Sequence, residues 1–224
     1  MKAIELSPIQ LKAKAEITSI LSDKNIVLLH GITGSGKTLI YLKLIEETIS
    51  KGGQVLFLVP EIALTMQLVQ RMAVYFGKTA SIYHSSIGSN HKIDLWHDIK
   101  AGKPLVIGAR SSVFLPFSNL QLIIIDEEHD YSYKQNEPSP KYHARETAMF
   151  LAQLHNAKVI LGSATPSFET YYNALNQRYG LVTINQRYGD AILPDVQLIN
   201  RQTCLLYTSP SPRDRTRSRM PPSP

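Results

Sequence analysis

The glycine-rich stretch from Gly31 to Thr38 carries residue types that suit phosphate chemistry. It reads Gly-Ile-Thr-Gly-Ser-Gly-Lys-Thr, the phosphate-loop pattern of glycine, four residues, glycine, lysine and a hydroxyl residue. Its glycines let backbone N–H groups turn towards a ligand, while Lys37 can reach the β- and γ-phosphates and the Thr38 hydroxyl can bind Mg²⁺. We therefore predict an ATP site built by Gly31, Thr33, Gly34, Ser35, Gly36, Lys37 and Thr38.

The segments on either side of this loop support the same interpretation. An apolar run at residues 26–29 has the character of a buried strand, and a helical stretch at residues 39–49 follows. Strand, glycine-rich turn and helix together place a triphosphate at a helix N-terminus. The alternative is a glycine-rich turn with no ligand.

An acidic motif follows the most apolar strand of the sequence. Residues 120–125 lead directly into Asp126, Glu127, Glu128 and His129. Because parallel strands end at one edge of a sheet, Asp126 is expected beside the phosphate loop, where it can hold Mg²⁺, usually through water. Glu127 can then orient and deprotonate the attacking water. The alternative is a solvated acidic turn with no chemical role.

The rest of the chain supplies a scaffold for these two motifs. Short apolar runs alternate with helical stretches, which predicts an α/β fold with a parallel β-sheet sandwiched by helices. In such a fold the ligand lies at the carboxyl ends of the strands. Ser7 and Pro8 are typical of a helix start. Further strands are predicted at 55–59, 80–83, 105–107, 158–161, 181–184 and 196–199, and helices at 61–76, 89–101, 143–155 and 167–177.

Composition narrows the class of protein. The 224 residues are 43% hydrophobic, which favours one sizeable globular domain. No apolar run approaches the roughly 20 residues of a membrane span, and the N-terminus does not have the form of a signal peptide. Cys204 is the single cysteine, so no internal disulfide and no cysteine-based zinc site can form. We expect a cytoplasmic protein with no membrane partner.

The positive charge is concentrated at the C-terminus. The net charge is +6, but five arginines and one acidic residue lie from residue 201 onward, so the overall charge is weak evidence for a nucleic-acid partner. The Ser-, Pro- and Arg-rich end cannot form a core, and it resembles translated sequencing-adapter DNA; a basic arm for nucleic acid is the alternative. We predict an ATP-binding domain over residues 1–200 and a disordered, non-native tail over residues 201–224.

Three motifs in series identify a broader class. The phosphate loop, the Asp126–His129 motif and Ser163-Ala164-Thr165 follow predicted strands in this order along the chain. Together they resemble superfamily 2 helicases, whose ATP-binding lobe is a RecA-like P-loop NTPase. The resemblance implies that His129 links the ATP site to Ser163 and Thr165, which relay the nucleotide state to the DNA-facing side. It also implies that Gln10 reads the adenine, although a solvated surface glutamine is the alternative.

Longer blocks resemble the primosomal replication-restart helicases, the primosomal protein N′ family. The blocks are Val59–Thr65, Ile107–Phe117, Asp126–Gln135, Lys141–Glu146 and Gly162–Ser167, within a similarity that covers about residues 4–200. The resemblance implies the first lobe of a 3′-to-5′ DNA helicase that acts on single-stranded and forked DNA with other primosome proteins. We expect the family's N-terminal DNA-binding regions, its cysteine-rich zinc insertion and its second lobe to be absent from this chain. Zinc is therefore expected in the full-length family but not here, and the isolated lobe should turn over little ATP.

Aromatic and cationic side chains alternate between residues 130 and 145. Such a segment suits base stacking and phosphate contact, and in the resembled family this position holds an aromatic-rich loop that senses DNA. The alternative is that the tyrosines pack into the protein. The candidate DNA contacts in the whole chain are Thr65, Arg110, Tyr133, Lys134, Arg145 and Thr165.

Three other functions compete with the replication-restart helicase. The chain could be a lobe of another superfamily 2 translocase, such as a restriction-enzyme motor or a chromatin remodeller. It could be a truncated module that binds nucleotide or DNA and catalyses nothing. It could also be a P-loop kinase of a small molecule, which would transfer phosphate to a metabolite and not respond to DNA.

Overall fold

Parallel strands with helices packed on both faces form the structure, a computed structural model that describes residues 4–60, 72, 74–84 and 87–187, with Lys78 described in its backbone only. The strands are β1 Ile26–Gly31, β2 Gln54–Leu58, β3 Ala80–Tyr83, β4 Leu105–Gly108, β5 Leu120–Ile125, β6 Lys134–Gln135, β7 Tyr142–His143, β8 Lys158–Ser163 and β9 Gly180–Ile184. The α-helices are α1 Pro8–Asp23, α2 Lys37–Ser50, α3 Ser89–Lys100, α4 Ala144–His155 and α5 Phe168–Leu175. Short 3₁₀ turns lie at Gly77–Thr79, Arg110–Phe114 and Tyr131–Tyr133.

The main sheet brings the two predicted motifs to one edge. Within the described residues its order is β3-β4-β2-β5-β8-β1-β9, and every neighbouring pair is parallel. Strand β1 runs into the phosphate loop and β5 runs into the acidic motif, with β8 alone between them. The predicted RecA-like α/β architecture is confirmed. A two-stranded antiparallel hairpin, β6–β7, follows the acidic motif.

Successive residues of each central strand enter cores on opposite faces of the sheet. In β1, Val27 and Leu29 pack in one core with helices α1 and α2, whereas Leu28 packs in the other core with α3, α4 and α5. This alternation follows from the period of two in a strand. It explains why the strand sequences are apolar on both faces, as buried parallel strands require.

The N-terminal helix begins where the sequence indicates. The Ser7 side chain accepts a hydrogen bond from the Gln10 backbone N–H, the Gln10 side chain accepts one from the Ser7 backbone N–H, and Pro8 is the first helical residue. This capping box satisfies two backbone donors that the helix cannot pair internally. It also fixes Gln10 at the start of α1, near the phosphate loop.

Some predicted elements lie outside the described residues. They include most of the helix at 61–76, the strand at 196–199, the domain boundary near residue 200 and the tail at 201–224. The described residues all belong to a compact unit that spans residues 1–190. No helix in the described part of the chain is long and apolar enough to cross a membrane.

Candidate nucleotide site

The phosphate loop has the backbone shape that its glycines allow. Gly34 and Gly36 adopt φ angles of 79° and 81°, in the left-handed region that residues with a Cβ rarely occupy. A Cβ on Gly31 would lie 2.7 Å from the Ser35 Oγ and 3.2 Å from the Lys37 Cγ. These glycines therefore let the chain close tightly around the lysine.

Two polar side chains of the loop fit a phosphate ligand. Lys37 is 8% exposed, and its Nζ donates to the Gly31 carbonyl oxygen over 2.8 Å. The Ser35 Oγ is buried and has no hydrogen-bond partner among the described protein groups. A buried hydroxyl without a partner is costly, so a ligand oxygen in the loop would satisfy a group that the protein itself leaves unpaired.

The acidic motif is anchored at the end of β5. The Asp126 backbone N–H donates to the Leu58 carbonyl oxygen over 3.0 Å. Its carboxylate accepts a hydrogen bond of 3.2 Å from the Tyr41 hydroxyl. Burial, followed by the negative charge of Glu127, raises the pKa of Asp126 from 3.8 to about 6, although Lys37 and the Tyr41 hydrogen bond oppose this rise. The carboxylate therefore lies where a cation would relieve an electrostatic cost.

Both motifs face one cleft. Its volume is about 470 Å³, and it is lined by Thr33, Gly34, Ser35, Gly36, Lys37, Thr38, Leu39, Tyr75, Asp126 and Glu127. The structure thus brings together the predicted phosphate-binding lysine, the Mg²⁺-binding hydroxyl and the two carboxylates. When bound, Mg²⁺ would neutralise phosphate charge, and its binding by Thr38 and Asp126, which both line the cleft, stays a prediction.

His129 contacts the last residue of β8 and the loop that follows this strand. Its Nδ1 lies 2.8 Å from the Ser163 Oγ, and its Nε2 lies 3.4 Å from the Thr165 Oγ1. Glu127 is the other neighbour of this ring, with 3.8 Å between its Oε2 and the Nδ1. A chain of polar contacts therefore runs from the cleft to Thr165, which is exposed. Its role as a relay stays a prediction.

Gln10 is not a solvated surface residue, because it is 1% exposed. Its Nε2 donates to the Gly36 carbonyl oxygen over 3.4 Å, and its Oε1 accepts from the Ser7 backbone N–H over 2.9 Å. The structure places it against the phosphate loop rather than in the lining of the cleft. Adenine recognition by Gln10 stays a prediction.

The structure argues against two of the candidate DNA contacts, Tyr133 and Arg145, because both side chains are buried. Tyr133 is 0% exposed and donates its hydroxyl to the Asp126 carbonyl oxygen over 2.6 Å. Arg145 is 8% exposed, and its Nη1 lies 2.6 Å from the Glu128 Oε2. Neither side chain can reach DNA without leaving the core, because the acidic turn holds both.

Two of the remaining candidate DNA contacts, Lys134 and Arg110, lie on or beside the β6–β7 hairpin. Lys134 is exposed on β6, and the Arg110 Nη1 lies 3.5 Å from the carbonyl oxygens of Ser132 and Lys134. Thr165 is exposed beside His129. Thr65 lies outside the described residues.

Two contributors to the site were not predicted. Tyr41 reaches Asp126 from helix α2, and its place four residues after Lys37 puts both on one helix face. Glu128 had no predicted role, yet it is fully buried and paired with Arg145. A carboxylate between two predicted catalytic residues was the available signal, but its direction into the core depends on the fold.

The comparisons with known proteins agree with this geometry. The sequence profile of the DEAD/DEAH box helicases matches residues 7–174. The chain is 46% identical over 179 residues to the replication restart protein PriA of Bacillus subtilis, which covers 80% of this chain and 22% of that protein. It is 48% identical over 168 residues to the PriA of Haemophilus influenzae, which covers 75% of this chain and 23% of the relative.

Solved structures share the fold. The helicase MrfA bound to DNA and AMPPNP aligns with a TM-score of 0.57 and 17% identity, covering 82% of this chain and 27% of that one. The Mycobacterium smegmatis helicase Lhr bound to ssDNA and AMP-PNP aligns with a TM-score of 0.56 and 22% identity, covering 80% of this chain and 28% of that one.

The resemblance inferred from the motif blocks is confirmed, although the chain spans only about a fifth of the length of these PriA relatives, 22–23%. The match covers the phosphate loop, the acidic turn and the Ser163–Thr165 loop. This chain belongs to the DEAD/DEAH box helicase family, and the part of it that is described corresponds to the first helicase lobe of replication restart proteins.

Proposed function

We propose that this chain is the ATP-binding lobe of an ATP-dependent 3′-to-5′ DNA helicase that acts in replication restart. The observation that carries the proposal is the shared cleft of Lys37, Asp126 and Glu127 in a chain that is 46% identical to a replication restart protein. The proposed partners are single-stranded and forked DNA and other replication-restart proteins. The proposed location is the cytoplasm, where such DNA is handled.

In this proposal each side chain of the cleft has one task. Lys37 exchanges its bond to the Gly31 carbonyl for the β- and γ-phosphates of ATP, and the loop N–H groups bind the same phosphates. Thr38 and Asp126 hold Mg²⁺. Glu127 orients the attacking water and accepts its proton. Because the γ-phosphoryl group carries spread charge in the transition state, hydrolysis also needs cations from the opposite side.

Those cations are proposed to come from a second lobe. The matched relatives are more than four times the length of the aligned segment, since the alignment covers 22% of the first. Closure of a second lobe over the nucleotide would complete the site and couple hydrolysis to movement along DNA. The chain by itself is therefore expected to bind ATP weakly and to hydrolyse it slowly.

The DNA-facing surface is proposed to centre on the β6–β7 hairpin. Phe114 is 59% exposed, and its ring packs edge-on against Tyr142 with 4.9 Å between centroids. Arg110 and Lys134 lie beside this aromatic pair. Tyr142 is half-buried, so Phe114 is the ring that is open to a base, and an exposed ring with cations beside it suits sequence-independent binding of a single strand. Thr165 is the proposed contact on the nucleotide side of this surface.

Lys37→Ala tests the nucleotide site. The affinity of the chain for a fluorescent ATP analogue with Mg²⁺ is expected to fall about tenfold or more, since a charge-assisted contact to phosphate is lost. Lys43→Ala is the matched control, because Lys43 lies on the same helix and pairs with Glu46 over 2.6 Å. Equal affinities for the parent and Lys37→Ala would reject the proposed site.

DNA-stimulated ATPase separates the proposed helicase from its rivals. Slow turnover by the chain, raised by single-stranded DNA, is expected. Rapid turnover without any further lobe would contradict the proposed need for a second lobe. Phosphate transfer to a small molecule, with no response to DNA, would indicate a kinase.

A further inference from the structure

The carboxylate of Glu128 is fully buried. In the sequence it lies between Glu127, which lines the cleft, and His129, the proposed relay residue. The Glu128 Oε2 lies 2.6 Å from the Arg145 Nη1 and accepts hydrogen bonds from the hydroxyls of Thr170 and Ser167 over 3.0 and 3.1 Å. Its Oε1 accepts a bond of 2.6 Å from the Ser167 backbone N–H. We call these four residues, Glu128, Arg145, Ser167 and Thr170, the Glu128 clasp.

The clasp joins the acidic turn to the β6–β7 hairpin. Arg145 is the second residue of α4, which begins directly after β7. Its guanidinium also bonds Ser167 over 2.7 Å and Glu146 over 3.0 Å. Burial lowers the pKa of Arg145, but the hydrogen bond and the charge of Glu128 outweigh burial, and the pKa is raised overall. The guanidinium therefore keeps its charge in the core. The end of the hairpin therefore cannot shift without straining the bond to Glu128.

The clasp also joins the acidic turn to the loop after β8. Ser167 is the N-cap of α5, and its Oγ accepts from the Thr170 backbone N–H. That loop begins after Ser163, the last residue of β8, and contains Thr165, and both of these residues contact His129. The Glu128 carboxylate of the acidic turn thus bonds both Arg145, which follows the hairpin, and Ser167, which follows the loop after β8.

The backbone beside Glu128 is strained, and the clasp can stabilise this strained conformation. Glu127 has a φ of 45°, a left-handed conformation that costs energy in a residue with a Cβ and persists only where its surroundings enforce it. The Glu128 N–H donates to the Gly162 carbonyl oxygen over 3.0 Å. Backbone and side chain of Glu128 together set the direction in which Glu127 and His129 leave the turn.

We propose that Glu128 and Arg145 are positioning residues that couple nucleic acid at the β6–β7 hairpin to the orientation of Glu127 and His129 in the nucleotide cleft. The inference rests on the proposed function. Both side chains are buried, and neither belongs to the lining of the nucleotide cleft. Loss of the clasp should therefore uncouple the two sites while each site still binds its own ligand.

Coupling is measured by binding alone. The dissociation constant of the chain for a fluorescent oligo(dT) is determined with and without saturating AMP-PNP and Mg²⁺. Because linkage is reciprocal, the ratio of the two constants measures the coupling between the sites. We expect a ratio of about 5 or more, in either direction, for the parent. In Arg145→Met, which keeps the aliphatic stem but no donor, the ratio should fall below about 2.

The matched control removes a different ion pair in the same way. Lys14 pairs with Glu47 between α1 and α2, so Lys14→Met should keep the parental ratio. Arg145→Lys retains the charge but not the guanidinium fork, and an intermediate ratio is expected. If Arg145→Met does not fold, as judged by circular dichroism, Ser167→Ala replaces it, since it removes one hydroxyl of the clasp.

The outcomes distinguish this inference from the proposed function. A parent that binds neither ligand overturns the proposed function itself. If the parent binds both ligands without coupling, the proposed coupling role of the clasp is wrong. The same holds if a folded clasp variant keeps the parental ratio, and neither result contradicts the proposed function. Loss of coupling in the clasp variants but not in Lys14→Met supports the proposed role of Glu128 and Arg145.

Discussion

Tyr41 donates its hydroxyl to a carboxylate oxygen of Asp126 over 3.2 Å, which ties helix α2 to the end of β5. Strand β8 lies between β1 and β5, and Gly162 on that strand leaves room for the ring. Lys37 begins the same helix. One phenol therefore holds the phosphate loop and the proposed magnesium carboxylate at a fixed separation.

Tyr41→Phe is expected to destabilise the chain by about 1–2 kcal/mol near neutral pH, because a buried hydrogen bond to a charged acceptor is lost. Burial raises the pKa of Tyr41 well above its ordinary value, so the phenol is a neutral donor throughout. Urea unfolding monitored by circular dichroism measures the change. Tyr172→Phe is the control, since that ring is 54% exposed, and an equal loss in both variants would refute the role given to the Tyr41 bond.

Gly162→Ala is expected to cost about 1–3 kcal/mol or more through overpacking. A Cβ at this position would lie 1.7 Å from the Tyr41 Oη and 2.8 Å from its Cζ. Adding Tyr41→Phe should recover part of the loss, since the closest atom is then gone. Differential scanning calorimetry of the single and double variants measures this, with Gly88→Ala as the control because a Cβ there meets no atom within 4 Å. Additive losses in the double variant would contradict the steric explanation.

Asp126→Asn is expected to stabilise the chain above pH 6 in the absence of nucleotide and Mg²⁺. The folded pKa of Asp126 is raised from 3.8 to about 6, so folding holds a proton that the unfolded chain releases. Below the unfolded pKa both states are protonated and the group has no effect. As the pH rises through this window the ionised, buried carboxylate becomes a penalty that is complete above the folded pKa.

Thermal unfolding at pH 4 and pH 8 checks this prediction. The variant should unfold a few degrees higher than the parent at pH 8 and at about the same temperature at pH 4. Asp98→Asn is the matched control, because its side chain is 58% exposed. A stabilisation that is independent of pH would show that the charge of Asp126 is not its source.

Arg110→Ala is expected to weaken the binding of single-stranded DNA and to make it less sensitive to salt. Removal of one phosphate contact should reduce the slope of log K against log salt by about 0.7. Fluorescence anisotropy with oligo(dT) at several salt concentrations measures the slope. Arg178→Ala is the control, since Arg178 precedes β9 at the opposite edge of the sheet. Identical slopes for parent and Arg110→Ala would remove Arg110 from the proposed surface.

The fold and the meeting of the phosphate loop with the acidic motif at one cleft could be predicted because their signals are local. The strand predicted at residues 26–29 and the helix predicted at 39–49 flank the loop, and the structure extends them to Gly31 and back to Lys37. Apolar strands separated by helices require a parallel sheet, and a parallel sheet brings Asp126 to the same edge as that loop. Ala80–Tyr83 and Leu120–Ile125 were predicted with the bounds that the structure has.

The burial and the hydrogen-bond partners of individual polar side chains could not be predicted, because they depend on contacts between residues that are distant in the sequence. Tyr133 and Arg145 have the composition of a DNA-binding segment, yet both are buried against the acidic turn. Hydropathy cannot distinguish an arginine that binds phosphate from one that neutralises a buried Glu128, since the partner lies 17 residues away.

The sequence alone therefore determined the phosphate loop, the acidic motif and the parallel sheet that joins them, because each depends on short-range pattern and strand direction. The tertiary structure alone decided the order of the strands, the bond between Tyr41 and Asp126, and the burial of Glu128 with Arg145. Those features arise where separate segments pack, and the partner of a polar side chain exists only once the segments have met.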